Sequence, residues 1–576
     1  MSLSHEQNRL GIYDKIIPNL TDWPISKLSQ NRQSFIDAHI EQSKAQILTG
    51  LKHPDELKKV LAKALYLERI RIKEDPWRVD PSDEKSFWNN ITRKLIKISQ
   101  LKPGEPETEL DDEAFEEIIS RYSHEIAGHF SPRAYKFSTW ILPFLFSQFL
   151  NKASIWKIGS PRLHLRDRIE FTGNIELVRE LSTKGTVVLT PTHFSNLDSP
   201  LIGWVIHVLG LPAFLYGAGL NLFNSKPFAF FMSRLGAYKV DRRKRNLLYL
   251  ETLKTYSRMT LREGCHSLFF PGGTRSRSGQ IEKQLKLGLL GTALEAQRLN
   301  YTSPPPNITG NPRKYGDKIF IVPLIINYHA VLEAVSLIDQ HLKGSGREKY
   351  FMDKNVFPSW YQALKSMNRY FAAKSEMIIS FGQPMDVLGN IVDANGTSLD
   401  RQGNPIAIER YFMTNDQLVN DRQRDEEYTR MLGEHILAQF YKYNTVLSSH
   451  LVAFTAYQIL TRKYHWLDTY GLVRLPEEDR EIDYQQFIET CSRLRTVLQG
   501  MQSDGKIQMA DTLHGDIERI VKHGILNVGV YHNNRPLTTT TQGNITSQDM
   551  TLLLYYHNRL LGYELEKNET IFSQTT

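Results

Sequence analysis

From about residue 151 onward, short apolar runs alternate with helical stretches, and this alternation limits the possible folds more than any other feature of the chain. The apolar runs are mostly bounded by Gly, Pro or Asn and cover residues 186–189, 213–216, 238–240, 267–270, 319–326 and 377–381. Residues 247–262 and 284–299 have the spacing of helices between them. Strands that alternate with helices favour a mixed or largely parallel sheet with helices on both faces, which is the α/β class.

The regions on either side of this alternation are predicted to be mostly helical. Their predicted helices cover residues 35–48, 54–72, 114–126, 425–443, 448–463 and 484–527. An acidic, Pro-containing linker is predicted at residues 102–113, and a loop rich in Gly, Asn and Asp at residues 388–405. We therefore predict a helical N-terminal region, an α/β domain and a helical C-terminal region, at residues 1–150, 151–390 and 391–576.

One segment is a candidate membrane-spanning helix. Residues 199–225 contain no Asp, Glu, Lys or Arg, and a stretch of this length can cross a bilayer. Residues that disfavour a continuous helix interrupt it: Gly203, Gly210, Pro212, Gly217 and Gly219. We interpret the segment as a buried helix, a turn and a buried strand. A second apolar segment, residues 137–150, suits an interfacial or core helix.

The charge balance admits three classes of partner. The 576 residues include 71 Lys and Arg against 63 Asp and Glu, a net charge of +8. Such an excess can serve nucleic acid, an anionic membrane surface or phosphorylated substrates. Aromatic residues are not interleaved with the basic runs, which disfavours nucleic acid. The two cysteines fit a reducing compartment, and residues 1–15 lack the apolar core of a secretory signal peptide.

Several common catalytic motifs are excluded by their spacing. His124 and His129 are five residues apart, whereas two zinc-binding histidines on one helix face are four apart. The sequence contains neither the Gly-rich loop that cradles nucleotide phosphates nor the nucleophile elbow of serine hydrolases. We therefore expect no bound metal.

The first informative segment places His193 just after the predicted strand 186–189 and Asp198 near the start of the following helix. Ligand sites of open α/β sheets lie at the carboxyl ends of strands. A histidine there, oriented by a carboxylate, can act as a general base. The alternative is that Asp198 only caps the helix.

A second informative segment, residues 269–279, also leaves a predicted strand. Its glycines, Gly272 and Gly273, allow the backbone to approach a ligand closely. Arg275 and Arg277 can hold phosphate oxygens, and the hydroxyls of this segment add donors. The alternative is a solvated basic turn.

Two further strands carry weaker signals. Residues 236–243 end in a basic group that begins with Arg242, and the alternative is a surface cluster. Residues 321–329 contain Pro323 inside an apolar run, which indicates an edge strand or a bulge.

The order of these four segments resembles the glycerolipid acyltransferase superfamily. His193 and Asp198 come first, then residues 236–242, then residues 269–279 and then the Val-Pro-Leu around Pro323. The chain is most similar to the bacterial and mitochondrial glycerol-3-phosphate acyltransferase branch, because the third segment continues as Arg-Ser-Arg-Ser-Gly and the fourth continues to Tyr328 and Glu333. Residues 381–384 resemble the later F-G-x-P of that branch.

The resemblance implies an acyltransferase core and a direct mechanism. His193, with Asp198 as its partner, would deprotonate the 1-hydroxyl of sn-glycerol 3-phosphate, and the alkoxide would attack an acyl thioester. The implied substrate-binding residues are Arg242, Gly273, Thr274, Arg275, Ser276, Arg277, Ser278 and Pro323. No cofactor is expected, with acyl-CoA or acyl carrier protein as co-substrate. The expected location is the cytoplasmic face of a membrane, as a peripheral or monotopic protein.

Three positions depart from the family pattern. Gly272 stands where the family usually has Glu, so that carboxylate is missing or supplied from elsewhere. Asp241 before Arg242 is more similar to lysophosphatidate acyltransferases, and His329 replaces an acidic residue. Acylation of lysophosphatidate or dihydroxyacetone phosphate therefore stays open, as does a catalytically weak membrane-associated binding module.

Overall fold

The protein was analysed as a computed structural model that describes residues 13–51, 53, 55–99, 107–140, 169–220, 223, 226–305, 307–310, 317–344 and 377–573. Its centre is a seven-stranded sheet in the order β1-β7-β6-β2-β5-β3-β4. The strands are β1 (Ile169–Gly173), β2 (Gly185–Pro191), β3 (Leu215–Gly219), β4 (Ala237–Val240), β5 (Ser267–Leu268), β6 (Lys318–Tyr328) and β7 (Met377–Phe381).

The sheet is mixed, as the sequence predicts. Strands β6, β2, β5, β3 and β4 run parallel to one another, whereas β7 is antiparallel to β6 and β1 is parallel to β7. Every residue of β2 is buried, as expected for a central strand covered on both faces. The carboxyl ends of the five parallel strands therefore lie along one edge of the sheet.

Pro323 lies in β6, which pairs with a strand on each side, so the edge-strand interpretation is wrong. The bulge interpretation agrees with the pairing register. Leu324 is opposite Phe381, whereas Ile321 bridges Met385, so the register shifts by one residue across Pro323. This shift suits a residue that has no N–H to donate to the ladder.

Helices surround the sheet and are the main regular secondary structure described in both flanking regions. Those before the sheet are α1 (Pro24–Gln30), α2 (Arg32–Thr49), α3 (Asp55–Glu74), α4 (Glu84–Ser99) and α5 (Glu107–Ile126). Those between strands, or just after β6, are α6 (Ile175–Lys184), α7 (Asp198–Val208), α8 (Lys226–Arg234), α9 (Leu247–Arg262), α10 (Leu287–Thr302) and α11 (Ala334–Gly344). Those after the sheet are α12 (Arg422–Lys442), α13 (Ser448–Lys463), α14 (Thr469–Leu472), α15 (Tyr484–Ser503), α16 (Ile517–Asn527), α17 (Met550–His557) and α18 (Glu569–Phe572).

One loop prediction was partly wrong. Helix α5 begins at Glu107, inside the linker predicted for residues 102–113. The acidic residues that made this stretch read as a linker lie in the first turns of the helix, where negative charge interacts favourably with the helix dipole. In the predicted loop at residues 388–405, the short strand Ser398–Leu399 pairs with Pro405–Ile406.

The described residues of the uncharged segment 199–225 form a helix, a turn and a strand, as predicted. Its helix is α7, and its strand is β3, at the interior of the sheet. Within the described ranges, no helix is both long and apolar enough to cross a membrane. Of the second apolar segment, residues 137–140 belong to a helical stretch, and residues 141–150 lie outside the described residues.

The flanking regions pack on opposite ends of the sheet. Side chains of the N-terminal region, such as Trp23 and Phe115, share one buried cluster with β3, β4 and α9, which contributes Tyr249. Side chains of the C-terminal helices share another with α7, β2, β6 and β7. Both clusters therefore pack segments from distant parts of the chain against the sheet.

Candidate active site

His193 and Asp198 form a hydrogen-bonded pair at the carboxyl end of β2. His193 lies in the loop that follows the strand, and Asp198 is the first residue of α7. His193 Nδ1 is 2.8 Å from Asp198 Oδ2. Asp198 is fully buried, whereas the His193 side chain keeps 16% of its surface exposed. One member of the pair is thus accessible to a substrate and the other is shielded.

The Asp198 carboxylate is directed back toward the loop and does not cap its own helix. Its Oδ2 also accepts the backbone N–H groups of Phe194 and Ser195, at 2.8 and 2.9 Å. Its Oδ1 accepts the hydroxyl of Tyr328, the last residue of β6, at 2.5 Å. The helix-cap interpretation of Asp198 is therefore wrong, since these contacts organise the loop around His193.

This arrangement selects one tautomer of His193. A carboxylate only accepts hydrogen bonds, so Nδ1 carries the proton that it donates to Asp198. The other ring nitrogen, Nε2, is then the free base. A base oriented in this way can accept a proton from a hydroxyl, and the carboxylate stabilises the imidazolium that results.

The glycine-rich segment after β5 packs directly on His193. The rings of Phe270 and His193 stack with centroids 3.9 Å apart. The backbone N–H of Ser276 donates to the carbonyl oxygen of His193 at 2.8 Å. Gly273 has φ +77°, a conformation that favours glycine, and its N–H donates to Phe270 O across the turn. The His193 loop and the glycine-rich segment, residues 269–279, therefore form one site.

The predicted phosphate-binding side chains of this segment differ in their surroundings. Thr274 is exposed, and Arg275 Nη1 lies 3.3 Å from Glu333 Oε1. The hydroxyl of Ser276 donates to Gln280 O, and that of Ser278 accepts the Gln280 N–H, so both close the turn. Arg277 lies close enough to His341 of α11 to lower the pKa of that histidine, after the larger effect of burial.

Glu333 connects the two segments. Its Oε2 accepts the hydroxyl of Ser195, and its Oε1 accepts the backbone N–H of Asn196, both at 2.9 Å. Arg275 lies beside the same carboxylate. Glu333 therefore holds the histidine loop and also faces an arginine that is a candidate for binding phosphate. Nearby, His329 is buried and hydrogen-bonded to Ser449 of α13, and burial lowers its pKa to about 3.

Arg242 is at the same sheet edge but is not brought into contact with His193. It follows β4, which is three strands from β2, or about 14 Å at the usual strand spacing. Arg242 is exposed. The next two basic residues form ion pairs within the protein. Arg243 pairs with Asp80 and Asp241 and lies over the ring of Trp77. Lys244 pairs with Glu125. Arg243 and Lys244 of this basic cluster therefore contact the N-terminal region.

Glu282 is a residue of this site that no sequence motif indicates. Its Oε1 accepts the backbone N–H of His193 at 3.1 Å. The residue is partly exposed, yet its Oε2 atom is buried and has no hydrogen-bond partner within the described residues. Burial raises the pKa of this carboxyl to about 7. The only sequence signal was the glycine at position 272, where a carboxylate was expected.

Arg559, from the C-terminal region, is a second residue that the sequence did not reveal. It is buried, its guanidinium lies 4.0 Å from the centroid of the Phe194 ring, and it donates to Ile326 O and Asn327 Oδ1. Burial lowers its pKa to about 10. Phe194, Tyr328 and Arg559 line a cavity of about 20 Å³, enough for about one water molecule.

The same C-terminal segment holds the end of the glycine-rich turn. Asn558 Nδ2 donates to Ser278 O at 2.9 Å. Gly279 has φ +84°, and a Cβ atom there would lie only 2.2 Å from Tyr555 O. The close approach of α17 therefore requires glycine at this position. The C-terminal region thus contributes directly to the architecture of the site.

Comparison with known proteins agrees with this geometry. Residues 168–327 match the family model described as Acyltransferase. A glycerol-3-phosphate acyltransferase of Alteromonas mediterranea is 27% identical over 215 residues, which are 37% of this chain and 23% of that protein. The chain thus spans less than a quarter of the length of this curated relative. The residues matched by the family model include His193, Asp198 and the glycine-rich segment.

Proposed function

We propose that this acyltransferase-family protein moves a long-chain acyl group from an acyl thioester to the 1-hydroxyl of sn-glycerol 3-phosphate. The observation that carries the proposal is the His193–Asp198 pair at the carboxyl end of β2, with the Arg275-bearing turn hydrogen-bonded to it. The similarity to a glycerol-3-phosphate acyltransferase favours the same acceptor. The product would be a 1-acyl glycerol phosphate.

In the proposed reaction, His193 Nε2 removes the proton from the acceptor hydroxyl. The resulting alkoxide attacks the thioester carbonyl carbon, and the tetrahedral intermediate collapses by breaking the C–S bond. The leaving thiolate takes the proton back from the imidazolium. Base catalysis of this kind is worth about 10²–10⁴-fold in rate, and positioning of both substrates supplies more.

The acceptor phosphate is proposed to bind the arginines beside the histidine loop. Arg275 and Arg277 lie on the turn that contacts His193, and Arg242 lies on the same edge of the sheet. Arginine holds phosphate through two parallel N–H groups, which also orients the acceptor. The Glu333 carboxylate next to Arg275 is available to keep that side chain in place between turnovers.

The proposal also includes the acyl donor and the place in the cell where the reaction occurs. Acyl-CoA and acyl carrier protein present the same thioester, so either serves as co-substrate, and no bound cofactor is required. Long-chain products are retained by a bilayer, which favours action at a membrane surface, and the side that we propose is the cytoplasmic face. The net charge of +8 favours an anionic leaflet, where each nearby Lys or Arg is worth about 1 kcal/mol.

A substrate screen tests this function. The purified chain is incubated with radiolabelled glycerol 3-phosphate, dihydroxyacetone phosphate or lysophosphatidate, each with a long-chain acyl-CoA or acyl carrier protein. We expect the highest kcat/KM with glycerol 3-phosphate and acylation at the 1-position. A preference for lysophosphatidate would reassign the acceptor, and failure to turn over any of the three would contradict acyl transfer to glycerol phosphates.

A further inference from the structure

Glu282 occupies the space that a side chain at position 272 would fill. A Cβ atom on Gly272 would lie 2.9 Å from Glu282 Cγ and 3.1 Å from Glu282 Oε1. Real Cβ atoms essentially never lie closer than 3.0 Å to another heavy atom, so any larger residue at 272 requires the Glu282 side chain to shift from its observed position. The glycine and the glutamate are therefore structurally complementary.

The Glu282 carboxyl is placed to act on the histidine loop. It accepts a hydrogen bond from the backbone N–H of His193, which lies two residues after the end of β2. The loop is then held from both sides, since Asp198 accepts the next two backbone N–H groups. Asp198 and Arg559 are the charged groups that act on the Glu282 carboxyl, with opposite effects on its ionisation.

We propose that Glu282 is a positioning residue that holds the His193 loop in place. It supplies the carboxyl group that position 272 lacks, from a position ten residues further along the chain. This inference deepens the proposed function, and only its activity readout rests on it. It also explains why Gly272 is compatible with a working site. A glutamate at 272 would reach the same space only if the Glu282 side chain moved away or were removed.

A variant cycle tests this exchange. The full chain is prepared as wild type, Glu282→Ala, Glu282→Gln, Gly272→Glu and Gly272→Glu/Glu282→Ala. Gly288→Glu is the matched control, because Gly288 is exposed and a Cβ there meets nothing within 4 Å. Three quantities are measured: the thermal unfolding midpoint, kcat and KM for acyl transfer, and the rate at which diethyl pyrocarbonate modifies His193 relative to exposed His465.

Each single change is expected to perturb the loop and the double change to repair it. Glu282→Ala lowers kcat by up to about 100-fold with little change in KM, because a base displaced by about 1 Å loses that much. Gly272→Glu alone lowers the unfolding midpoint through its clash with Glu282. The double variant recovers most of both losses, whereas Gly288→Glu stays near wild type.

The conservative variant separates positioning from charge. Glu282→Gln keeps an acceptor for the His193 N–H, so it should retain most of the wild-type kcat and His193 modification rate. If the losses in the double variant equal the sum of the losses in the two single variants, the proposal that a carboxyl at 272 can replace Glu282 is wrong. If Glu282→Gln behaves like Glu282→Ala, the positioning role of Glu282 is wrong. Unfolding and histidine modification need no substrate, so they decide the inference even if no acyl transfer is found.

Discussion

The hydroxyl of Tyr328 donates a 2.5 Å hydrogen bond to Asp198, the carboxylate that orients the His193 ring. Tyr328 ends β6 and His193 follows β2, and these strands are neighbours in the sheet. The sheet register therefore sets the position of the carboxylate relative to the histidine.

Tyr328→Phe should leave Asp198 Oδ1 buried without this donor. A hydrogen bond to a charged group is worth about 1.5–3 kcal/mol, so we expect kcat to fall by about 10–100-fold. Steady-state acyl-transfer kinetics measure the change. Tyr66→Phe, at an exposed tyrosine, is the control. A Tyr328→Phe enzyme with wild-type kcat would show that this contact does not support the base.

Glu333→Gln should loosen the histidine loop. The Glu333 carboxylate accepts one hydrogen bond from Ser195 and one from Asn196, each on a different oxygen. The amide of glutamine has only one oxygen that can accept, since its other terminal atom is the NH₂ donor. The loss of one bond to a charged acceptor predicts a kcat/KM lower by about 10-fold or more. The exposed Glu478→Gln variant should keep its full activity. Equal kcat/KM for the two variants would count against the connecting role of Glu333.

Arg559→Lys should affect the site from the C-terminal region. Lysine keeps the charge but cannot reproduce the planar contacts with Phe194, Ile326 O and Asn327 Oδ1. We expect the free energy of unfolding to fall by about 1–3 kcal/mol, measured by urea denaturation, and acyl transfer to decrease in parallel. Arg422→Lys, whose side chain is 90% exposed, is the control. Unchanged stability of Arg559→Lys would refute this coupling.

Three buried histidines and the half-buried His532 predict a loss of stability in mild acid. Burial lowers the pKa of His39, His532 and His557 to about 4, and that of His329 to about 3. Their pKa in the unfolded chain is about 6.5, so below that pH the unfolded state binds more protons and the folded state is disfavoured. Each histidine contributes up to about 1.4 kcal/mol per pH unit until its own folded pKa is reached.

Urea unfolding between about pH 7.5 and pH 5 measures this slope. His39→Gln should reduce it, because glutamine does not titrate and can still donate to Thr252 O, whereas the exposed His514→Gln should not. Glu282 contributes a smaller slope of opposite sign between about pH 4.5 and 7, since its pKa is raised in the folded state. Stability that is constant down to about pH 5 would show that these histidines are not buried as described.

Local periodicity was sufficient to predict most of the core. Helices α9 and α13 and strands β2, β4, β6 and β7 agree with their predictions to within a few residues, because each has a clear apolar pattern. Strand β1 was missed. It is an edge strand in which only Ile169 is buried, so its sequence lacks the apolar run of the interior strands.

The site was only partly predictable, for a physical reason. His193, Asp198 and Arg275 lie in short local motifs, whereas Glu282 and Arg559 act through contacts between distant segments. A glutamate in a polar loop and an arginine after a C-terminal helix carry no local signal of burial. The missing carboxylate at Gly272 was visible in the sequence, but its replacement required the three-dimensional arrangement.

The most direct measurement of the central claim compares wild type with His193→Ala in the acylation of radiolabelled glycerol 3-phosphate. His465→Ala, at an exposed histidine, is the control, and circular dichroism checks that all three proteins are folded. We predict labelled 1-acyl glycerol phosphate from wild type and His465→Ala, and a rate lower by about 10²–10⁴-fold for folded His193→Ala. A folded His193→Ala protein that acylates glycerol 3-phosphate at the wild-type rate would contradict the account.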